Sequence, residues 1–366
     1  MDRRFTLTTL LAALLICCFA TLAVAADHPY PNPKRMFVTL PQHPQTFNVP
    51  SPAGNLAQWN GSFKDLTNRT RTFTMVGTNP GTTNTSTTVP LVVIPIKVVF
   101  PNDNKTYDPN VAKFSGQSVS VTQTILNSPL FNANVDFNQG GTDLGKTQYI
   151  DAFQRGNAWL YVKNHTNYHT LLSTATVLPE QTFTCSSTNR SLCNGNASEF
   201  GKNVGLADIN LFDNAVQGWL SQFSSQITPN TFPIFLMYDI YMTSGGCCIG
   251  GYHSANGSQP GGQTYGVSTV VDQGSGVFSQ DTAALSHEIG EWEDDPFIDN
   301  QVGCQDNSIL EVGDPLVLDD HPYTVNGFTY HLQDLVFIGY FGANKAVSVH
   351  SWLSFQNDKK TICPGQ

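Results

Sequence analysis

Between Asp281 and Asp320 the chain carries twelve acidic residues, eight Asp and four Glu, and neither a Lys nor an Arg. Carboxylates gathered this closely repel and raise one another's pKa unless hydrogen-bond donors or a cation compensate. A fold that takes the segment inside must supply that compensation. The alternative is a solvated acidic loop. Within the segment lies Ser286-His287-Glu288-Ile289-Gly290-Glu291-Trp292, followed later by Leu310-Glu311-Val312-Gly313-Asp314.

On a helix His287 and Glu291, four positions apart, stack on one face. Glu288 is turned about 100° from His287, still able to address a water on a metal held by the other two. Glu311 is expected to return as a third ligand from a second segment. Asp314 is the alternative ligand, or orients His287 from behind. Asp294 and Asp295, before Pro296, end the helix and form a candidate calcium site. One imidazole and two carboxylates make a hard, anionic set for zinc, with less preference over Mn²⁺ or similar ions. Such a set polarises bound water less than a two-histidine site, which predicts weak hydrolysis or a structural metal. For hydrolysis Glu288 is the expected general base. An oxyanion donor is sought among Tyr252, His253, His321, Tyr323, Tyr330 and His331, with His331 first because an aromatic-rich strand would present it.

The N-terminus runs Met1-Asp2-Arg3-Arg4 into apolar residues from Leu10 to Ala26, ending in Ala23-Val24-Ala25. A basic start, an apolar core and small residues at the end describe a secretory signal peptide over residues 1–26. No later stretch reaches the roughly 18 to 20 apolar residues of a spanning helix. The expectation is a secreted, extracellular protein with no membrane contact after cleavage. The whole chain carries a formal charge of −10; the leader holds Arg3, Arg4 and Asp2, so residues 27–366 carry −11. Charged residues are 13 % of the chain, against about a quarter in an average domain. No basic run exists to neutralise a phosphate backbone, so nucleic acid is excluded as an expected partner.

Cys17 and Cys18 fall in the leader, leaving Cys185, Cys193, Cys247, Cys248, Cys304 and Cys363. An even number in an exported chain favours disulfides. Cys185 and Cys193 close a short polar loop and make the first pair; the other four are expected to tie the loops around the His-Glu segment. Sequons begin at Asn60, Asn68, Asn84, Asn104, Asn164, Asn189, Asn196 and Asn256, making a glycoprotein the expectation wherever a host can modify them.

Residues 27–87, rich in Pro, Asn and Thr, read as an extended lead-in with few regular elements. Val89 to Phe100 is a strong strand whose prolines, Pro90 and Pro95, predict an edge or a bulge. Helices are expected within 114–130, over 147–158 and over 281–292, the last capped by Ser279 or Asp281. Strands are expected over 159–162, 168–177, 231–243 and 264–271, and further sheet or packed loop over 330–355. Gly290 weakens its helix by up to about 1 kcal/mol relative to Ala, and close approach of a neighbouring strand would explain it.

The order of strand, Gly-rich loop, His-Glu helix and downstream Glu over residues 231–320 resembles a zincin metallopeptidase. It is closest to the gluzincins, whose third ligand is a Glu on a later helix. The resemblance implies His287 as first ligand, Glu288 as base, Glu311 as downstream ligand, and Phe232 to Met242 as the edge strand that pairs with substrate. Glu291 stands where the family has its second histidine, so the motif is HExxE in place of HExxH. The implied fold is α+β: residues 88–366 form one zincin-like domain, a mixed sheet with an active-site helix and long disulfide-tied loops. The implied activity is a zinc-dependent peptidase acting on peptide or protein. The rival expectation is a non-catalytic structural protein on a degenerate zincin-like scaffold, binding cell-wall or matrix carbohydrate.

Overall fold

The strongly apolar stretch Leu91–Phe100 is buried along its whole length except for partial exposure at Lys97 and Val99. A strand of this kind belongs in the middle of a sheet covered on both faces. The computed structural model describes residues 40–44, 54–198, 203–272, 280–304 and 308–364, all within one compact unit, Pro31–Gln366. The expected signal peptide, residues 1–26, lies outside the described residues. Among those described, no helix is long and apolar enough to cross a membrane.

The fold is mixed α and β, with more strand than helix. In the main sheet the strands run Gln181–Thr184, Leu91–Phe100, Phe232–Tyr238, Gln263–Val270 and Gly251–Asn256. The first four are parallel, and Gly251–Asn256 closes one side antiparallel to its neighbour. Side chains alternate between two cores, as strand geometry dictates. Leu91, Val93, Phe232, Ile234 and Leu236 pack with Leu285, Ile289 and Trp292 of the helix Ala283–Asp294. Val92, Ile94, Phe235 and Met237 pack with Phe212, Val216 and Trp219 of the helix Ile209–Gln222 on the opposite face.

Leu91–Phe100 is therefore central, which corrects the edge expectation drawn from its prolines. Pro95 is accommodated because its neighbour on one side is broken. Thr176–Val177 pairs with Val92 and Val93, and Gln181–Thr184 resumes at Ile96. The carbonyls of Val93 and Val99 accept from Leu178 and Cys185 on that side. By the two-residue period Pro95's missing N–H faces the gap, where no ladder bond is lost. Phe232–Tyr238 is central too, so it is not an edge strand; the antiparallel edge is Gly251–Asn256. Asp239, at φ 51°, ends Phe232–Tyr238 before Ile240–Thr243 continues in a second sheet.

Residues 58–76 are more ordered than their composition suggested. Gln58–Lys64 and Thr70–Val76 form an antiparallel hairpin, and Phe73, Met75 and Val76 enter the core. Helices form at Val121–Leu126, with a Ser120/Gln123 capping box, and at Tyr149–Asn157. Trp159–Val162 is helical and not a strand. The helix Ile209–Gln222 had a readable start, since Asp208 accepts from the backbone of Asn210 and Leu211.

Cys185 pairs with Cys193, as expected, and Cys304 with Cys363 joins the loop after the helix Ala283–Asp294 to the C-terminal tail. Cys247 pairs with its neighbour Cys248, so this bond ties no distant loops together. The sequon at Asn256 is fully buried, its side chain donating to Gln217; that position is closed to a glycan in the folded chain.

Candidate metal centre

The helix Ala283–Asp294 is buried along its entire length, so its polar residues face protein on every side. Three contacts fix its rotation. Trp292 stacks on Phe232 with ring centroids 3.7 Å apart and donates from Nε1 to Thr264 at 2.9 Å. Gly290 admits Leu335, which a Cβ there would meet at 2.4 Å; the close approach comes from just beyond the strand Phe328–Gln333. Ser286 accepts from the backbone of Gln333 at 2.9 Å and donates to Ala283. Thr282 occupies the N-cap without a side-chain bond in place of the expected Asp281, and Ser279 lies outside the described residues.

With the helix so held, His287 is completely buried and Glu288, Glu291 and Glu311 nearly so. His287 Nε2 lies 3.0 Å from Glu291 Oε2 and 3.9 Å from Asp314 Oδ1. The other ring nitrogen, Nδ1, is 3.1 Å from Gln333 Oε1, and the Gln333 amide donates to the Gly313 carbonyl. That second bond orients the amide oxygen toward the ring, so Nδ1 carries the proton and the Nε2 lone pair faces the carboxylates. Glu291 is positioned in turn by the Gly313 N–H, 3.1 Å from Oε1.

A second imidazole joins the group. His253 lies on the edge strand, where alternation sends Tyr252 to the far face, bonded to Asp213, and His253 toward the site helix. His253 Nε2 is 3.1 Å from the Asp295 carbonyl, which only accepts, so Nε2 is the protonated nitrogen. Nδ1 then presents its lone pair 3.6 Å from Glu288 Oε2 and 3.8 Å from Glu291 Oε2. Sequence reading had His253 only as an oxyanion donor. The signal that could have promoted it is the Tyr252-His253 alternation on a strand flanking the His-Glu helix.

Two sets of ligand-type atoms result, each with its members within 4.8 Å of one another: His287, Glu291 and Asp314, and His253, Glu291 and Glu311. Glu311 thus falls with His253 instead of completing the expected His287/Glu291/Glu311 set, and it sits in a loop instead of on a later helix. Its carboxyl hydrogen-bonds that of Glu291. Asp314 keeps 40 % of its side-chain surface and is where the group meets solvent.

Burial drives both imidazoles down to about 4, so they are neutral at ordinary pH. Burial first, and then the neighbouring carboxylates, pushes Glu288, Glu291 and Glu311 well above the usual carboxylate range. Neither oxygen of Glu288 has a hydrogen-bond partner among the described residues. Ionised carboxylates held this way need a cation. Two glycines make the room: a Cβ at Gly313 would lie 2.3 Å from His287 Nδ1, and one at Gly251 would lie 2.6 Å from Glu288 Oε1.

Other candidates lie elsewhere. His331 Nδ1 is bonded to Asp281 at 2.7 Å, clasping the strand Phe328–Gln333 to a point two residues before the helix; it belongs to neither ligand set. Tyr330 donates to the Thr124 carbonyl, and His321 pairs with Asp358. Asp295 accepts from the backbone of Asp299 and Asn300, and Asp294 is bonded to Gln154. These acids shape the turn after the helix and form no ligand set of their own among the described residues, so the calcium expectation gains no support.

Comparison with protein-family models, with curated proteins and with solved structures returns no match. The functional reading therefore rests on the chemistry of this centre.

Proposed function

We propose that the protein is a secreted metal-dependent peptidase hydrolysing peptide bonds, in which His287, Glu291 and Asp314 would hold a divalent cation that supplies an activated water and Glu288 would accept the proton. The observation that carries this reading is the locked His287: Gln333 holds its proton on Nδ1 while Nε2 faces Glu291 at 3.0 Å. Histidine ligands are oriented this way in metal sites. A core histidine with no ligand role has no need of carboxylates gathered around its Nε2.

The residues fit zinc, and Mn²⁺ as well, since they offer imidazole nitrogen and carboxylate oxygen. A cation there supplies Lewis acidity to a carbonyl and lowers the pKa of a bound water. Glu288, buried and without a hydrogen-bond partner, is suited to take a proton and pass it to a leaving amine. His331 is clasped to Asp281, and the imidazole placed 3.6 Å from Glu288 is that of His253. Peptide as substrate class rests on the zincin resemblance, because the last strand beside the centre, Gly251–Asn256, is buried along its length and its outer side is taken by His43, which bonds Ala255 and Gly257 through the backbone. The zincin likeness is retained within this proposal: a helix carrying His-Glu packs beneath a mixed sheet with an antiparallel edge.

The test is metal content of the purified protein together with cleavage of casein and a peptide library. Cleavage that a chelator abolishes and added Zn²⁺ or Mn²⁺ restores is expected. Stoichiometric metal with no cleavage of any substrate would favour the non-catalytic scaffold.

A further inference from the structure

Glu288, Glu291 and Glu311 are buried, and Asp314 stands on the solvent side of the group with 40 % of its side chain exposed. Four carboxylates and two imidazoles therefore gather around this centre, more ligand-type groups than one ion takes from protein when it keeps a water.

We propose that the centre holds two divalent cations bridged by the Glu291 carboxylate, one on His287 and Asp314, the other on His253 and Glu311. This rests on the metal reading above and extends it to a dinuclear site. The ligand atoms divide in this way: each set is mutually within 4.8 Å, and Glu291 is the member common to both. Its Oε2 lies 3.0 Å from His287 Nε2 and 3.8 Å from His253 Nδ1, between the two rings.

Each imidazole has its own independent lock. Gln333 fixes the His287 tautomer, and the Asp295 carbonyl fixes that of His253. Two separate devices that each aim a lone pair at the same bridging carboxylate are what two metal positions require. Beyond the carboxylate cluster itself, the buried Glu288 side chain, with neither oxygen hydrogen-bonded, lies 3.6 Å from His253 Nδ1 and points to a ligand there. A pair of cations about 3.5–4 Å apart grips both the attacking and the leaving oxygen of a displacement. One nitrogen per metal among oxygens suits Mn²⁺ or Zn²⁺ better than a thiophilic ion.

The experiment loads the full chain with Mn²⁺, removes excess by desalting, and reads metal per chain by elemental analysis alongside the EPR spectrum. Two Mn²⁺ per chain with an exchange-coupled spectrum are expected. Glu311→Gln, which keeps its shape, should drop to one Mn²⁺ with an isolated-ion spectrum, as should His253→Ala; circular dichroism checks that each remains folded. One Mn²⁺ per wild-type chain with an isolated-ion spectrum would overturn the second ion while leaving the hydrolase reading intact. No bound metal in the wild type would overturn both.

Discussion

His287 Nδ1 lies 3.1 Å from Gln333 Oε1, and Gln333 is held in that orientation by the Gly313 carbonyl. The ring is thereby fixed through a residue forty-six positions away in the chain. Gln333→Leu removes the acceptor, leaves a buried N–H unsatisfied and frees the ring to choose the other tautomer. Metal affinity should fall about 10–100-fold, read by competition with a chromophoric chelator, while Gln333→Glu, which keeps an acceptor at the same place, should lose less. Equal affinity in Gln333→Leu and wild type would remove Gln333 from this role.

Space at the centre is as specific as its chemistry. Gly313→Ala would place a methyl within 2.3 Å of the His287 ring, so the ring or the loop must shift. The expected cost is about 1–3 kcal/mol of stability together with loss of bound metal. Ala at Gly218, where a Cβ meets nothing within 4 Å, is the control. Thermal melts with and without metal separate the two effects, because only a competent site gains stability from the ion.

The His-Glu helix was legible because its spacing is local: His287 and Glu291 stack whatever the rest of the chain does. The continuous apolar runs of Leu91–Phe100 and Phe232–Tyr238 were legible as strand for the same reason. Their place in the sheet was not, since position depends on partners distant in sequence; Pro95 pointed to an edge, and the break between Val177 and Gln181 removed the reason for one. Trp159–Val162 looked like a strand through its aromatic and β-branched residues, but it follows directly on the helix Tyr149–Asn157 and stays helical. His253 was seen and given the wrong part, because only the antiparallel pairing of Gly251–Asn256 brings it over Glu288 and Glu291.

The His331–Asp281 clasp predicts a pH dependence. Its 2.7 Å hydrogen bond to Asp281 raises the His331 pKa above the usual 6.5. A histidine raised in the folded state adds stability that is complete below the unfolded-state value and is lost as pH rises through the folded one. The wild-type advantage over His331→Gln should therefore be larger at pH 5.5 than at pH 8.5 (both about one to two units from the usual histidine value). Denaturant titrations at the two pH values measure it. An advantage that grows with pH would contradict the clasp.

Cys304–Cys363 spans 59 residues and anchors the tail to the loop after the site helix. Replacing both by Ser should lower stability by about 2–4 kcal/mol, seen as a lower denaturation midpoint. Metal content at saturating ion should stay near that of wild type, since neither cysteine belongs to a ligand set.

The most direct test of the metal centre is the metal content of Glu291→Gln beside that of wild type and Glu288→Gln. Glu291 is common to both ligand sets, and an amide is a far poorer ligand than a carboxylate. Glu291→Gln should lose most of its metal. Glu288→Gln should keep it, while any hydrolysis drops by about 10²–10⁴-fold. Equal metal in wild type and Glu291→Gln, or none in either, would contradict the centre and leave these carboxylates to be explained by shared protons alone.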